Sequence, residues 1–291
     1  MSDFVNTADV IGDDALSDQI LTRTVTEFKS DGVKKIGKYA LARCKLLTTI
    51  DCPNVETVAE YAFDECTAIA NVNLPRVTDM KCGFASSQIT SIELPELITG
   101  GDRLFYGCRL LPSISLPKLK TVKYRAFAFC PILTSVYLPE LQVSEQELFS
   151  SSSQLETLDL PSLTNAGSQY SFAYLRKLTH INVPKLTSIT SSAFTDCSVL
   201  PELDLPSVTS IEKNAFQNCS TLTKIILRSE VLCTLSNINA FKGTPFASGG
   251  TGGTVYVPQA LISSYQTATN WSTLYAEGTC NFVSLEGSEY E

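Results

Sequence analysis

The stretch NAFQNCSTLTKIIL, residues 214–227, is written again and again along the chain. Its opening phrase returns as YAFDEC at 61–66, RAFAFC at 125–130 and SAFTDC at 192–197. Proline supplies the period. Pro53, Pro75, Pro95, Pro117, Pro139, Pro161, Pro184 and Pro206 are separated by 22, 20, 22, 22, 22, 23 and 22 residues. One further step of 22 reaches Arg228 in KIILRS, where the pattern holds although proline is lost. Such self-similarity marks a repeat architecture, so the repeat is read before any local motif.

Fixed columns stand around each mark. Six before it are Leu47, Ile69, Ile89, Leu111, Leu133, Leu155, Leu178, Leu200 and Leu222. Three before it are Ile50, Val72, Ile92, Ile114, Val136, Leu158, Ile181, Leu203 and Ile225. One before it are Cys52, Leu74, Leu94, Leu116, Leu138, Leu160, Val183, Leu205 and Leu227. The last two columns alternate with polar residues, the period of a strand with one buried face. Proline then ends the strand because it has no N–H for a ladder. A second apolar pair follows, as in Val208 and Ile211, and then the Ala-Phe phrase, which suits a short helical or 3-10 turn with its Phe plugging the interior.

A unit of 22 residues cannot bury its apolar face alone, whereas stacked copies share one core. The expected fold is an α/β repeat solenoid of about nine 22-residue turns, with strands on one face and short turns opposite. Residues 1–21 are expected to form an N-terminal cap, helical or irregular, 22–248 the solenoid, and 249–291 a glycine-rich link and C-terminal cap. In the last segment SGGTGG leads into a strand over Thr254–Val257. Leu261, Tyr265, Ala268, Trp271 and Tyr275 then fall near helical spacing, as on an amphipathic capping helix. CNFVSLEG adds a final strand, and the single tryptophan reads as a plug.

These columns resemble the BspA-like (Treponema pallidum type) leucine-rich repeats, on the residues AFDECTAIANVNLP, AFAFCPILTSVYLP, AFTDCSVLPELDLPSVTSIEKNAF and AFQNCSTLTKIILR. The resemblance covers roughly residues 22–258, and VYVPQALISSYQTATNWSTLY resembles the usual ending of such proteins in gut bacteria. It implies a curved, right-handed leucine-rich repeat superhelix. It also implies a bacterial surface or secreted protein used for adhesion and protein binding, without enzymatic activity. Members that lack a signal occur among prophage or virion-associated genes, so a tail-associated structural or receptor-binding subunit is the alternative. The first residues, MSDFVNTADVIGDDALSD, read as lacking a basic, apolar secretory signal.

The composition narrows the partner. Of 291 residues 44% are hydrophobic and 18% charged, with a net charge of −8, which disfavours a phosphate-backbone partner. No run approaches 18 apolar residues, so no membrane insertion is expected. A protein or a cell-surface glycan is the expected partner.

Catalytic and metal chemistry find no foothold. Cys44, Cys66, Cys108, Cys130, Cys197 and Cys219 share the column nine before the mark, which elsewhere holds Ser86, Ser152 and Leu175. A metal ligand or redox thiol would not alternate with leucine, so these read as small buried fillers without disulfides. Cys52, Cys82, Cys233 and Cys280 show no zinc-type spacing. His180, the single histidine, sits four before the mark at an exposed position with no nucleophile assigned to it. No cofactor is expected.

The informative column is the outward one, two before the mark. It holds Asp51, Asn73, Glu93, Ser115, Tyr137, Asp159, Asn182 and Asp204, followed by Ile226. Stacked, these would make a polar, partly acidic stripe with one aromatic, able to anchor a basic or hydroxyl-rich partner. The repeats that break step, RVTDMKCGFASSQITSIELP and the one containing NAGSQYSF, would alter the curvature or project a loop.

Overall fold

The computed structural model describes residues 4–5, 10–14 and 24–291. The chain is a parallel β-solenoid of about 10 turns with few helices, one turn more than the proline count suggested. It divides into two compact units, Met1–Ser144 and Glu145–Glu291.

Each regular turn contributes two short strands, one on either side of the proline. In the first unit the strands before proline form a parallel sheet of Phe4–Val5, Glu27–Lys29, Thr49–Asp51 and Asn71–Asn73, and a separate pair, Ser113–Ser115 with Ser135–Tyr137. The strands after proline form one seven-stranded sheet from Val10–Ile11 to Val143–Ser144. The pairing register is the sequence repeat itself: Ile50 lies beside Val72, and Ile114 beside Val136. In the second unit Thr157–Asp159 pairs with His180–Asn182, and Glu202–Asp204, Lys224–Ile226, Gly253–Val257 and Cys280–Ser284 form a four-stranded sheet.

The N-terminal cap expected over 1–21 lies largely outside the described residues. Its described parts, Phe4–Val5 and Val10–Ile11, are strands that pair with Glu27–Lys29 and Lys35–Ile36. At the other end, the expected capping helix is two helices, Ile262–Thr267 and Trp271–Ala276, broken at Asn270, whose φ is +67°. Trp271 is fully buried against Phe241, Tyr265 and Phe282, and its indole N–H donates to the Cys233 carbonyl at 2.8 Å.

The Phe plugs stack into ladders. Phe63, Phe84, Phe105 and Phe127 are spaced 5.3, 6.1 and 6.0 Å apart in the first unit. Phe172, Phe194, Phe216 and Phe241 are spaced 5.0, 5.7 and 5.4 Å apart in the second. The plug turns close by hydrogen bonds three residues apart, such as Cys219 N–H to Phe216 O at 3.1 Å. One of them extends into a 3-10 helix, Ile238–Phe241.

Most plugs are flanked on both sides by residues of left-handed backbone, and Phe84 and Phe241 on the far side only. Two before the plug are Tyr39, Tyr61, Arg103, Arg125, Glu147, Tyr170, Ser192 and Asn214, and two after it Arg43, Glu65, Ser86, Gly107, Phe129, Ser151, Tyr174, Asp196, Asn218 and Gly243, all with φ between 53 and 74°. Such backbone costs an L-residue roughly 1–2 kcal/mol. It lets alternate N–H groups point to the next turn: Arg103 to Tyr124 O, Phe105 to Ala126 O and Gly107 to Ala128 O, at 2.7, 2.7 and 2.9 Å. The turn side is thus hydrogen-bonded from turn to turn, as the strands are, which offsets the strain.

The cysteine column does more than fill space. The thiols of Cys66, Cys130, Cys197 and Cys219 donate to the carbonyls of Leu41, Phe105, Phe172 and Phe194, the plugs of the preceding turns, at 2.9–3.1 Å. Cys108 donates to Phe84 O at 3.2 Å. Ser86 does not belong to this column. It is exposed, and Ser87 is the buried residue three past Phe84, because the 20-residue repeat loses one residue before the plug and one after it. All ten cysteines are buried free thiols.

Candidate functional site

The outward positions on the strands before proline are placed in two stretches, one in each unit. In the first, Asn73, Glu93, Ser115 and Tyr137 are exposed and Asp51 is half-buried. Asn73 donates its side-chain amide to Asp51 Oδ1 at 2.7 Å, and Ser115 pairs with Tyr137, whose ring is 57% exposed. In the second, Asp159, Asn182 and Asp204 are exposed, and Asn182 donates to Asp159 Oδ1 at 2.8 Å.

The short repeat interrupts the ladder. Residues 91–93 form no strand, so the sheet ending at Asn71–Asn73 is not continued by Ser113–Ser115. A depression of about 480 Å³ opens there, with Val72 and Ile92 at its base and Lys29, Asp51, Asn73 and Glu93 on its rim. An apolar floor with a few convergent polar groups is the usual make-up of a recognition site. Sequence reading found its rim but not the depression, whose signal was the missing two residues.

The same repeat opens a second hollow on the turn side, of about 300 Å³, with Tyr61, Asp64, Lys81, Asp102, Arg103 and Tyr124 among its walls. Its strands, Asp79–Cys82 and Thr99–Asp102, approach closely through two glycines. A Cβ at Gly83 would overlap the Leu104 backbone, and one at Gly101 the Lys81 backbone. Nearby, the Arg125 guanidinium lies over Tyr106, Tyr124 and Phe129.

One outward position departs from the expectation. Ile226 is buried, at 1% exposure, rather than facing solvent. The segment Ser288–Glu291 returns to the strand side of the last turns, where the Tyr290 ring packs on Tyr256 at 4.7 Å, next in register to Ile226. Lys224 holds Glu289 at 2.7 Å and the Tyr290 hydroxyl at 2.9 Å, and those bonds raise its pKa. The Glu289 carboxyl is correspondingly held below its ordinary range by Lys224. Arg228 grips Asp204 with Nε and Nη2 at 2.9–3.0 Å, so Asp204 is paired rather than free.

His180 is exposed at the start of its strand, as its column required. Among the described residues, no group of three or more His, Cys, Asp or Glu could hold a metal ion, and no helix is long and apolar enough to cross a membrane.

The BspA type leucine rich repeat model matches residues 3–99, 78–200 and 168–245, in six copies. The chain belongs to the BspA-type leucine-rich repeat family. Members of this family are typically surface-associated and serve as generally non-catalytic protein-binding scaffolds. Among solved structures, the chain is similar to a leucine-rich repeat protein from Bacteroides ovatus, at 20% identity over 90% of this chain and 84% of that one, with a TM-score of 0.40. A leucine rich cell surface protein from Faecalibacterium prausnitzii shares 20% identity over 82% of this chain and 75% of that one, with a TM-score of 0.44. The leucine rich repeat protein of T. pallidum shares 17% identity over 58% and 71%, with a TM-score of 0.39. No curated protein matches the chain.

Proposed function

We propose that this BspA-type protein is a non-catalytic adhesion scaffold of a bacterial surface, binding its partner along the outward positions of the strands before proline. The observation that carries the reading is the depression at the short repeat. There Asp51, Asn73 and Glu93 surround the apolar floor of Val72 and Ile92. Outward polar groups elsewhere on the strand side serve solubility equally well, but here the half-buried Val72 and the edge of Ile92 behind them add a small apolar area for a partner to bury. The acidic rim suits a basic or hydroxyl-rich surface, as on a protein or a glycan.

The test is binding of the labelled full chain to an array of extracellular proteins and surface glycans. Two double variants, Asn73→Ala with Glu93→Ala and Tyr137→Ala with Asp159→Ala, are compared with a turn-side control, Phe129→Ser. A specific hit should weaken about fivefold or more in a strand-side variant and stay unchanged in the control. Loss in the control alone would move the site to the turn side.

A further inference from the structure

The contacts of Ser288–Glu291 are those of a bound peptide. The segment adds no strand to the sheet, and its own backbone closes locally, Ser288 N–H to Leu285 O at 3.0 Å and Glu291 N–H to Ser288 O at 3.4 Å. It is held from outside by side chains of successive turns, which read one tyrosine at several points. Tyr256 takes the ring face at 4.7 Å. The Tyr290 hydroxyl donates to Glu202 Oε2 at 2.8 Å and accepts from Lys224 Nζ at 2.9 Å. Arg228 Nη1 donates to the Tyr290 carbonyl at 2.5 Å, and Lys224 also pairs with the preceding carboxylate of Glu289 at 2.7 Å.

These groups stand at positions that remain open elsewhere on the strand side. Glu202, Lys224 and Ile226 occupy the same columns as the exposed Thr157, His180 and Asp159. The contact is also shallow. Glu289 keeps 63% of its side chain exposed, whereas the Phe plugs of the same unit are fully buried. A shallow contact made by charged and hydroxyl side chains is one that another chain of the same chemistry can replace.

We infer that the strand side of the last turns, centred on Glu202, Lys224, Ile226, Arg228 and Tyr256, is a binding site for an acidic, tyrosine-bearing peptide segment of a partner, and that Ser288–Glu291 occupies it in competition. The inference rests on the strand side being the binding face, but it concerns only these turns, where the occupant's chemistry is seen. The basic pair Lys224 and Arg228 selects acidic neighbours, and Glu202 with Lys224 selects a phenolic hydroxyl over a plain phenyl ring.

The experiment uses a fluorescent peptide of sequence GSEYE, matching 287–291, titrated by polarisation into the full chain and into a chain ending at Gly287. A tethered segment competes at an effective concentration on the order of 1 mM. A site that binds the peptide at about 100 µM when opened should therefore read about tenfold weaker in the full chain. Lys224→Glu in the shortened chain should abolish binding, and a peptide with Phe for Tyr should lose about tenfold or more.

If the shortened chain keeps its circular dichroism and melting temperature yet ignores the peptide at millimolar concentration, the inference is overturned and the segment is only a structural seam. Should the shortened chain fail to fold, the full chain carrying Glu289→Ala and Tyr290→Ala replaces it, and absence of peptide binding there overturns the inference equally. Equal affinity of full and shortened chains overturns the competition. None of these outcomes depends on the array, whose Asn73 and Glu93 variants report on the first unit alone.

Discussion

The turn side and the strand side stack the same repeats with opposite chemistry. On the turn side the side chains recur: a Phe in nearly every turn, a thiol or hydroxyl three residues later except at Leu175, and left-handed backbone two residues to either side of most plugs. On the strand side the backbone is ordinary, and the outward residue runs through Asp, Asn, Glu, Ser and Tyr within one molecule. Stacking therefore places its demands on the side where the chain bends sharply, and leaves the side where it runs straight free to vary. Where the strand side is not free, at Ile226, something covers it.

The largest effect should come from alkali, which reaches the buried thiols of both sides. Burial pushes the thiols of Cys52, Cys82, Cys233 and Cys280 up to about 12, and that of Cys108 up to about 11. Unfolded thiols ionise near about 8.5. Between about 8.5 and 11 the unfolded chain releases protons that the folded chain keeps, so stability present below pH 8.5 is lost as pH rises. The loss approaches about 1.4 kcal/mol per pH unit for each thiol. Urea midpoints at pH 7, 9 and 10 should fall steeply, and a flat profile would show that the thiols are not locked in.

Phe194→Ala comes next. It empties a fully buried site between Phe172 and Phe216 and should cost about 3–5 kcal/mol in chemical denaturation. Cys219→Ala should cost about 1–2 kcal/mol, because the Phe194 carbonyl loses its donor at 3.0 Å. Cys219→Ser should cost less than Cys219→Ala, and an equal cost would reduce the thiol to a filler.

The smallest effects differ in sign between the two sides. Arg43→Gly relieves a left-handed backbone with φ of +64° and should stabilise by up to about 1 kcal/mol, once the entropy of glycine is subtracted. Ser115→Ala and Asp159→Ala on the strand side should stay within about 0.5 kcal/mol. A large loss there would mean that the outward column carries the fold as well.

The proline marks and the columns of Leu, Ile and Phe foretold the stacking register because each is a burial requirement met once per turn. Every residue of the column six before the mark, from Leu47 to Leu222, is buried. Val72 and Val136, in the column three before, are only half-buried. The left-handed positions were legible at most where Asn214, Asn218, Asp196, Gly107 or Gly243 stands, because Tyr39, Arg103, Glu147 and Phe129 are none of the residues that announce such backbone. Ser86 was misplaced for Ser87 because counting back from proline assumes that both missing residues precede the plug, whereas one follows it. Most of the outward column could be read locally. Ile226 could not, since the segment that returns beside it, with Tyr290 on Tyr256, is linked to it by no repeat pattern. The hollows at the short repeat were marked only by an interval of 20 where 22 was the rule.

The buried thiols also change what the cysteine content says about where the protein can live. Ten cysteines in 291 residues would ordinarily tie a chain to a reducing compartment or to a set of disulfides. Here each thiol is shut away from solvent, and those of Cys66, Cys108, Cys130, Cys197 and Cys219 are turned toward carbonyls of the turn before. A reductant finds no bond to break, and the raised thiols of Cys52, Cys82, Cys108, Cys233 and Cys280 offer an oxidant little thiolate. The fold therefore owes none of its stability to a disulfide, whatever the redox state around it.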